Sequence, residues 1–320
     1  MAVNTVEQYI AIAPGNRTRR AIRGVYDALD NDINSIYYPN PSGGEDYFVD
    51  GNVNSSGVGT SWDEAVASLS EAITLSNTSI GLSANRWWAR RNRIFACGDQ
   101  ELVEGLTVLP EKCDVIGVGT DLYPFPRVVG NHVIAAATVG VRFINMGFNS
   151  AANADLFDLP AGCHGLEFLG SVFTPSALGT PKALEINNAA LVKIIGCRFV
   201  IDAVGPTLFG QAIHFEGTIH QDCVVANNLI IGTIGFGVSE AGANCFGSVL
   251  DNNIIRATGL CVDDNSDDWI ISDNRMMSEA AGDGGGNDAV VDCNLQLAVG
   301  NRITCSDHVN APFPIEGTLT

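Results

Sequence analysis

At 320 residues and 46% hydrophobic content, the chain carries enough apolar material to bury a large core, which excludes disorder for most of it. Its formal charge of −19, from 36 acidic against 17 basic residues, opposes attraction to phosphate backbones and anionic lipid, so no nucleic-acid partner is expected. No run approaches the roughly 18 apolar residues of a membrane helix, and Glu7 and Pro14 interrupt the apolar stretch where a secretory signal would lie. Neither membrane insertion nor a signal peptide is expected.

Residues 1–44 form the first segment. Ile22, Val25, Tyr26, Leu29 and Ile33 make one apolar helix face, and Arg17, Arg19, Arg20 and Arg23 cluster at its start. An arm for attachment or assembly fits this pattern; so does a helix that packs on the body. Residues 45–92 follow as a cap region. Ser61 and Glu64 stand three apart, as in a capping box, and Trp62, Val66, Leu69 and Ile73 then share a helical face. This spacing predicts an amphipathic helix over 62–75 that plugs the end of the next domain.

The stretch Arg86, Trp87, Trp88, Arg90, Arg91, Arg93 concentrates four of fourteen arginines beside two of four tryptophans. That composition is enriched at interface centres, so these residues, with Arg19 and Arg20, are the expected assembly surface. A cap whose tryptophans close the domain and whose arginines satisfy loop carboxylates is the competing reading.

From residue 93 to 305 the chain repeats. A short apolar alternation is followed by Gly, Asn or Asp and then, two or three residues on, by a large apolar residue. Examples are Ile144-Asn145-Met146-Gly147-Phe148, Ile195-Gly196-Cys197-Arg198-Phe199 and Ser272-Asp273-Asn274-Arg275-Met276. Counting the closing residue as 148, 173, 199, 230, 254, 276 and 303 gives steps of 25, 26, 31, 24, 22 and 27. Period-two alternation rich in Val, Ile and Phe excludes helical repeats of similar length. Gly, Asn and Asp tolerate the left-handed backbone that a sharp corner requires. The fold expected is therefore all-β, a right-handed single-stranded parallel β-helix of about nine rungs with an N-terminal capping helix. Asn228, Asn252, Asn274 and Asn301 are expected to stack as a structural ladder of side-chain amides. Residues 306–320, with Pro312, Pro314 and Gly317, are expected to be an extended tail.

The run Tyr47-Phe48-Val49-Asp50-Gly51, then Gly59-Thr60-Ser61-Trp62-Asp63-Glu64-Ala65, then Ile94-Phe95-Ala96-Cys97-Gly98 and Val115-Ile116-Gly117-Val118-Gly119, resembles the opening of pectin lyase-like β-helix proteins. The resemblance covers about residues 46 to 305. It implies the fold and leaves function open among polysaccharide lyases, glycoside hydrolases, adhesins and phage tailspikes or appendages.

Candidate chemistry is sparse. Asp251 and Asp273 would lie about 5 Å apart if they held one position in adjacent rungs, the separation of a retaining glycosidase pair. Asp263 and Asp264 share an Asp-Asp step with polygalacturonase-type hydrolases, without a Gly-His-Gly or Arg-x-Lys companion. His214 and His220 come with no evident base, Lys193 lies in an apolar run, and Gly282 to Asp288 lacks a spaced calcium-ligand series. No catalytic residues, metal or cofactor are therefore assigned. The nine cysteines (97, 113, 163, 197, 223, 245, 261, 293, 305) form no CxxC pair and are expected as small core residues. The expectation is a non-catalytic structural or adhesive β-helix: a phage virion appendage or decoration protein, made in the host cytoplasm and displayed on the virion surface. Its expected partners are two further copies in a homotrimer, other virion proteins and a cell-surface glycan. The alternative is a lyase, glycoside hydrolase or esterase acting on polysaccharide.

Overall fold

The computed structural model describes residues 43–53, 55–81, 90–97, 101–119, 126–200, 207–239, 247–264, 269–278, 291–293, 297–305 and 315–316. Two all-parallel sheets wind into a β-solenoid with one helix near its N-terminal end. The first sheet stacks ten strands: Asp46–Val49, Asn92–Cys97, Cys113–Val118, Val141–Ile144, Glu167–Leu169, Lys193–Ile195, Val224–Ala226, Ser248–Asp251, Trp269–Ser272 and Leu297–Val299. The second sheet consists of two such columns. One contains Gly147–Asn149, Val172–Thr174, Arg198–Phe199, Ile254–Ala257 and Arg275–Ser278; the other contains Phe157–Leu159, Thr180–Asn187, Phe209–Glu216 and Val262–Asp264. They join where Leu229–Ser239 runs through both. The solenoid thus has three outward faces, called here the first, second and third.

Corners set the shape. Between the first and second faces the chain turns at Asn145, Gly170, Gly196, Asn227, Asn252, Asp273 and Gly300, all at positive φ. Those are the Gly, Asn and Asp positions of the repeat. A further column of left-handed residues precedes the first-sheet strands: Lys112, Gly140, Gly165, Leu191, Asp222 and Gly247. Lys112 and Leu191 carry no turn chemistry, so the sequence does not announce this corner.

Inside, alternation places one side chain of each pair against the next rung. Phe148, Phe173 and Phe199 form one continuous stack, with centroids 5.6 and 4.6 Å apart, and Phe143 stacks on Phe168 at 5.3 Å. The six described cysteines are free, and all but Cys97 are buried. Burial pushes the thiols of Cys113 and Cys197 up to about 12, as core residues require.

The residue after the first-to-second corner also points inward, and it builds a polar ladder. Asn228 Nδ2 donates to Asn253 Oδ1 (2.9 Å), Asn253 Nδ2 to Asn274 Oδ1 (2.9 Å) and Asn274 Nδ2 to Asn301 Oδ1 (3.1 Å). Each amide also donates to a carbonyl of the preceding rung: Ile194, Val225, Leu250 and Ile271 in turn. Each Oδ1 accepts a backbone N–H as well, from Cys197, Asn228, Asn253 and Asn274. Cys197 and Ser171 hold the same position earlier and donate to Phe168 and Phe143 carbonyls. The ladder therefore runs through Asn253, and Asn252 is not a member. Asn252 is the corner residue itself, exposed, and its amide reaches Asn227 Oδ1 at 2.6 Å. The three consecutive polar residues from Asp251 to Asn253 allow a slip of one, which burial of Leu250 and Ile255 resolves; the closing apolar residue of that rung is Ile255.

The N-terminal end departs from expectation in its details. Trp62–Glu64 is a short 3-10 turn, and the helix runs Leu69–Gly81. Residues between them stay extended because Val66 bridges Val49 and exchanges backbone hydrogen bonds with Phe48 and Asp50. Ser61 makes no side-chain cap. Ser68 Oγ instead accepts the Glu71 N–H, and Glu104 accepts the N–H groups of Leu69 (2.7 Å) and Ser70 (2.8 Å), a carboxylate at the positive end of the helix. Val66, Leu69 and Ile73 are buried as expected, while Trp62 packs on Phe48 outside. The first sheet begins at Asp46, ahead of the expected start at 93, and the tail contributes the strand Ile315–Glu316. Residues 1–42 lie outside the described residues.

Replacing Asn253 or Asn274 with Leu leaves ladder partners unsatisfied in the core and is expected to cost about 1–3 kcal/mol each. Asn252→Gly, at an exposed left-handed corner, should change stability by well under about 1 kcal/mol. Denaturant melts check both; equal losses at 252 and 253 would contradict the register.

Candidate functional site

Along the outer first face, one register position reads Asp46, Arg93, Asp114, Arg142, Glu167, Lys193, alternating in sign from rung to rung. Arg93 pairs Asp46 at 2.5 Å, Arg142 pairs Asp114, and Lys193 pairs Glu167 at 2.8 Å. Arg91 also reaches Asp114, and Arg90 reaches Glu45 at 2.9 Å and Ser79 at 2.7 Å. The arginines at 90, 91 and 93 thus neutralise carboxylates of their own chain, as the competing cap reading requires. Arg86, Trp87, Trp88, Arg19 and Arg20 lie outside the described residues.

A second cluster of titratable groups sits on the outer third face, where strands eight to eleven residues long stack in three rungs. Glu185 and His214 hold one register position, in the apolar triplets Leu184-Glu185-Ile186 and Ile213-His214-Phe215, and Gly237 follows them. His214 Nδ1 lies 2.5 Å from Glu185 Oε2, and Lys182 Nζ lies 2.7 Å from the same oxygen. Both Glu185 and His214 are buried. A Cβ on Gly237 would fall 1.8 Å from Gln211 Nε2, so the Gln211 amide covers the glycine beside His214.

Charge is divided unevenly across this cluster. Burial pushes the Glu185 carboxyl up, but hydrogen bonds from His214, Glu216 and Lys182 outweigh it and hold the group down at about 2. Its hydrogen bond to Glu185, then burial, raise the Glu216 carboxyl. The two shifts run in opposite directions, down for Glu185 and up for Glu216. Burial also raises Asp155, whose Oδ1 is enclosed without a hydrogen-bond partner. Two carboxyls whose affinities for a proton are pushed apart, beside an imidazole, are the kind of grouping that acid–base chemistry draws on.

The sequence-derived carboxylates are not brought together. Asp251 pairs in register with Ser272, whose Oγ donates to it at 2.6 Å, while Asp273 occupies the corner position matched by Asn252. They do not hold one position. Asp263 follows Gly237 on the outer third face, and Asp264 follows Val238 and is buried. Adjacent residues of a strand face opposite ways, so these two cannot act as a pair. The loop 282–288 lies outside the described residues. Among the described residues no group of three or more His, Cys, Asp or Glu side chains is placed to hold a metal, and no helix is long and apolar enough to cross a membrane.

The Glu185–His214 contact escaped sequence reading because its partners lie 29 residues apart. The available signal was a polar residue at the centre of an apolar triplet, repeated one rung later. No protein-family model and no curated protein matches the chain. The fold itself is a parallel β-solenoid, consistent with the pectin lyase-like superfamily.

Two other histidines report acidity. Burial lowers His132 to about 3, and burial, opposed by backbone carbonyls, lowers His220 to about 4, both from an ordinary 6.5. The unfolded chain then binds more protons than the folded one below pH 6.5, so the stabilisation is complete above that pH and lost as pH falls towards 4 and 3. Glu185, lowered from 4.5 to about 2, adds a loss below pH 4.5. Thermal melts are expected to fall from about pH 6.5 downward, and His220→Phe, edge-to-face with Phe215, should flatten the upper part of the decline. A flat profile between pH 6.5 and 4 would contradict the burial of these rings.

Proposed function

We propose that the chain is a non-catalytic structural or adhesive shaft, a phage virion appendage or decoration protein that self-assembles as a homotrimer and works on the virion surface. The observation that carries this reading is axial. The inner amide ladder and the outer charge rail commit polar side chains to bonds between successive rungs, which stiffens the solenoid along its length. Resistance to bending along the axis is what a shaft that displays a surface requires. Glu185, bound by His214, Lys182 and Glu216, fits the same pattern, because its acceptor capacity is taken up inside the protein. The phage assignment rests on the resemblance of the opening segment and on the elongated fold.

One observation favours a second reading, a polysaccharide-active enzyme. Glu216, shifted up, beside Glu185, shifted down, is the separation of two carboxyls on which an acid–base pair is built. Incubation with bacterial surface polysaccharides, read by reducing-end release, separates the two. The shaft reading expects no turnover, together with a trimeric mass by light scattering. Cleavage lost in Glu216→Gln but retained in Asp251→Asn and Asp273→Asn would overturn it in favour of the enzyme.

A further inference from the structure

The outer second face carries a patch unlike the rest of the molecule. One register column reads Arg198, Leu229, Ile254, Arg275 and then Arg302; the neighbouring outward column reads Ile231, Arg256, Met277 and then Thr304. The strands Ile254–Ala257 and Arg275–Ser278 alternate strictly between exposed and buried, so Ile254, Arg256, Arg275 and Met277 all point outward. Ile254 is 50% and Met277 46% exposed, and they lie on a diagonal, each in register with an arginine of the neighbouring strand.

Two features show that folding alone does not account for this patch. Ion pairs occupy the arginines at 90, 91, 93, 127 and 142, whereas Arg198 and Arg275 meet no carboxylate within ion-pair distance among the described residues. The columns here also fail to alternate in sign: no carboxylate stands in register from Arg198 to Arg275 or from Ile231 to Met277. The first face, by contrast, alternates sign at every rung from Asp46 to Lys193. A chain of net charge −19 has placed Arg198, Arg256 and Arg275 beside a short apolar strip.

We infer that this patch, centred on Ile254, Arg256, Arg275 and Met277, is the surface through which a second copy of the chain docks, with the acidic third face of that copy as its counterpart. Charge complementarity selects the occupant. The third face presents Asp158 and Glu216 exposed and Asp263 partly so, while the patch is basic with an apolar centre. Contact between two different faces is head-to-tail, and it gives a particle of finite mass when the ring closes. The inference rests on the self-assembly proposed above and assigns its surface.

Sedimentation velocity and light scattering on the full chain test it, with circular dichroism to verify folding. The wild type is expected to be oligomeric at low salt and to dissociate at least ten-fold more readily in high salt. Arg275→Glu and Arg256→Glu should each shift the mass to one chain without altering the spectrum. Met277→Ser, which removes apolar contact and leaves the charge unchanged, should weaken association by a smaller factor. An oligomer indifferent to all three substitutions overturns this interface and leaves self-assembly standing. A wild type that is a single chain at every concentration and salt overturns both, as does a patch that binds a polyanion such as heparin while the chain stays single.

Discussion

From Val141 onward, the rungs of this solenoid depend on a left-handed corner falling at the same place in the turn before and the turn after. The corner at Asn145, Gly170, Gly196, Asn227, Asn252, Asp273 and Gly300 fixes which residue comes next, and that residue is forced inward. Because the rungs stack about 4.8 Å apart, an inward polar side chain at that point meets its own kind. An isolated Asn in such a core would carry unmet donors and acceptors at substantial cost. A column of four instead satisfies both ends of each amide, from its neighbours and from backbone groups. Ser171 and Cys197 continue the position with weaker or fewer bonds, where the surrounding core becomes a stack of phenylalanines.

The same stacking rule, applied outward, gives each face its own chemistry. The first face alternates charge and neutralises itself. The third gathers a Glu–His–Lys–Glu group on its long strands, and the second accumulates arginine around Ile254 and Met277. Register is the cause in each case: a residue type repeated at the period of the turn becomes a stripe along the axis. A single substitution therefore changes a stripe, and its effects extend one rung either way.

How much of this was legible in the sequence follows from the length scale of each signal. The corners were visible because Gly, Asn and Asp are nearly obligatory there, and the fold followed. The corner containing Lys112 and Leu191 was not, since the surrounding structure holds those residues in a conformation their side chains disfavour. The ladder was found but shifted by one at Asn252, because Asp251, Asn252 and Asn253 are equally polar and only the buried neighbours decide between them. The helix start was misplaced since the bridge from Val66 to Val49 overrides local capping signals. The Glu185–His214 pair and the second-face patch were missed because both exist only once rungs of 21 to 29 residues are laid in register.

The central claim is that buried side-chain amides, with Asn253 among them, hold consecutive rungs together. Hydrogen exchange of asparagine side-chain amides, followed by NMR in the intact protein, tests it most directly. The Nδ2 protons of Asn228, Asn253 and Asn274 are bonded on both sides within the core and are expected to persist long after those of exposed Asn252 have exchanged. If the Asn253 side-chain amide exchanges as fast as that of Asn252, the ladder is not the element that holds the stack.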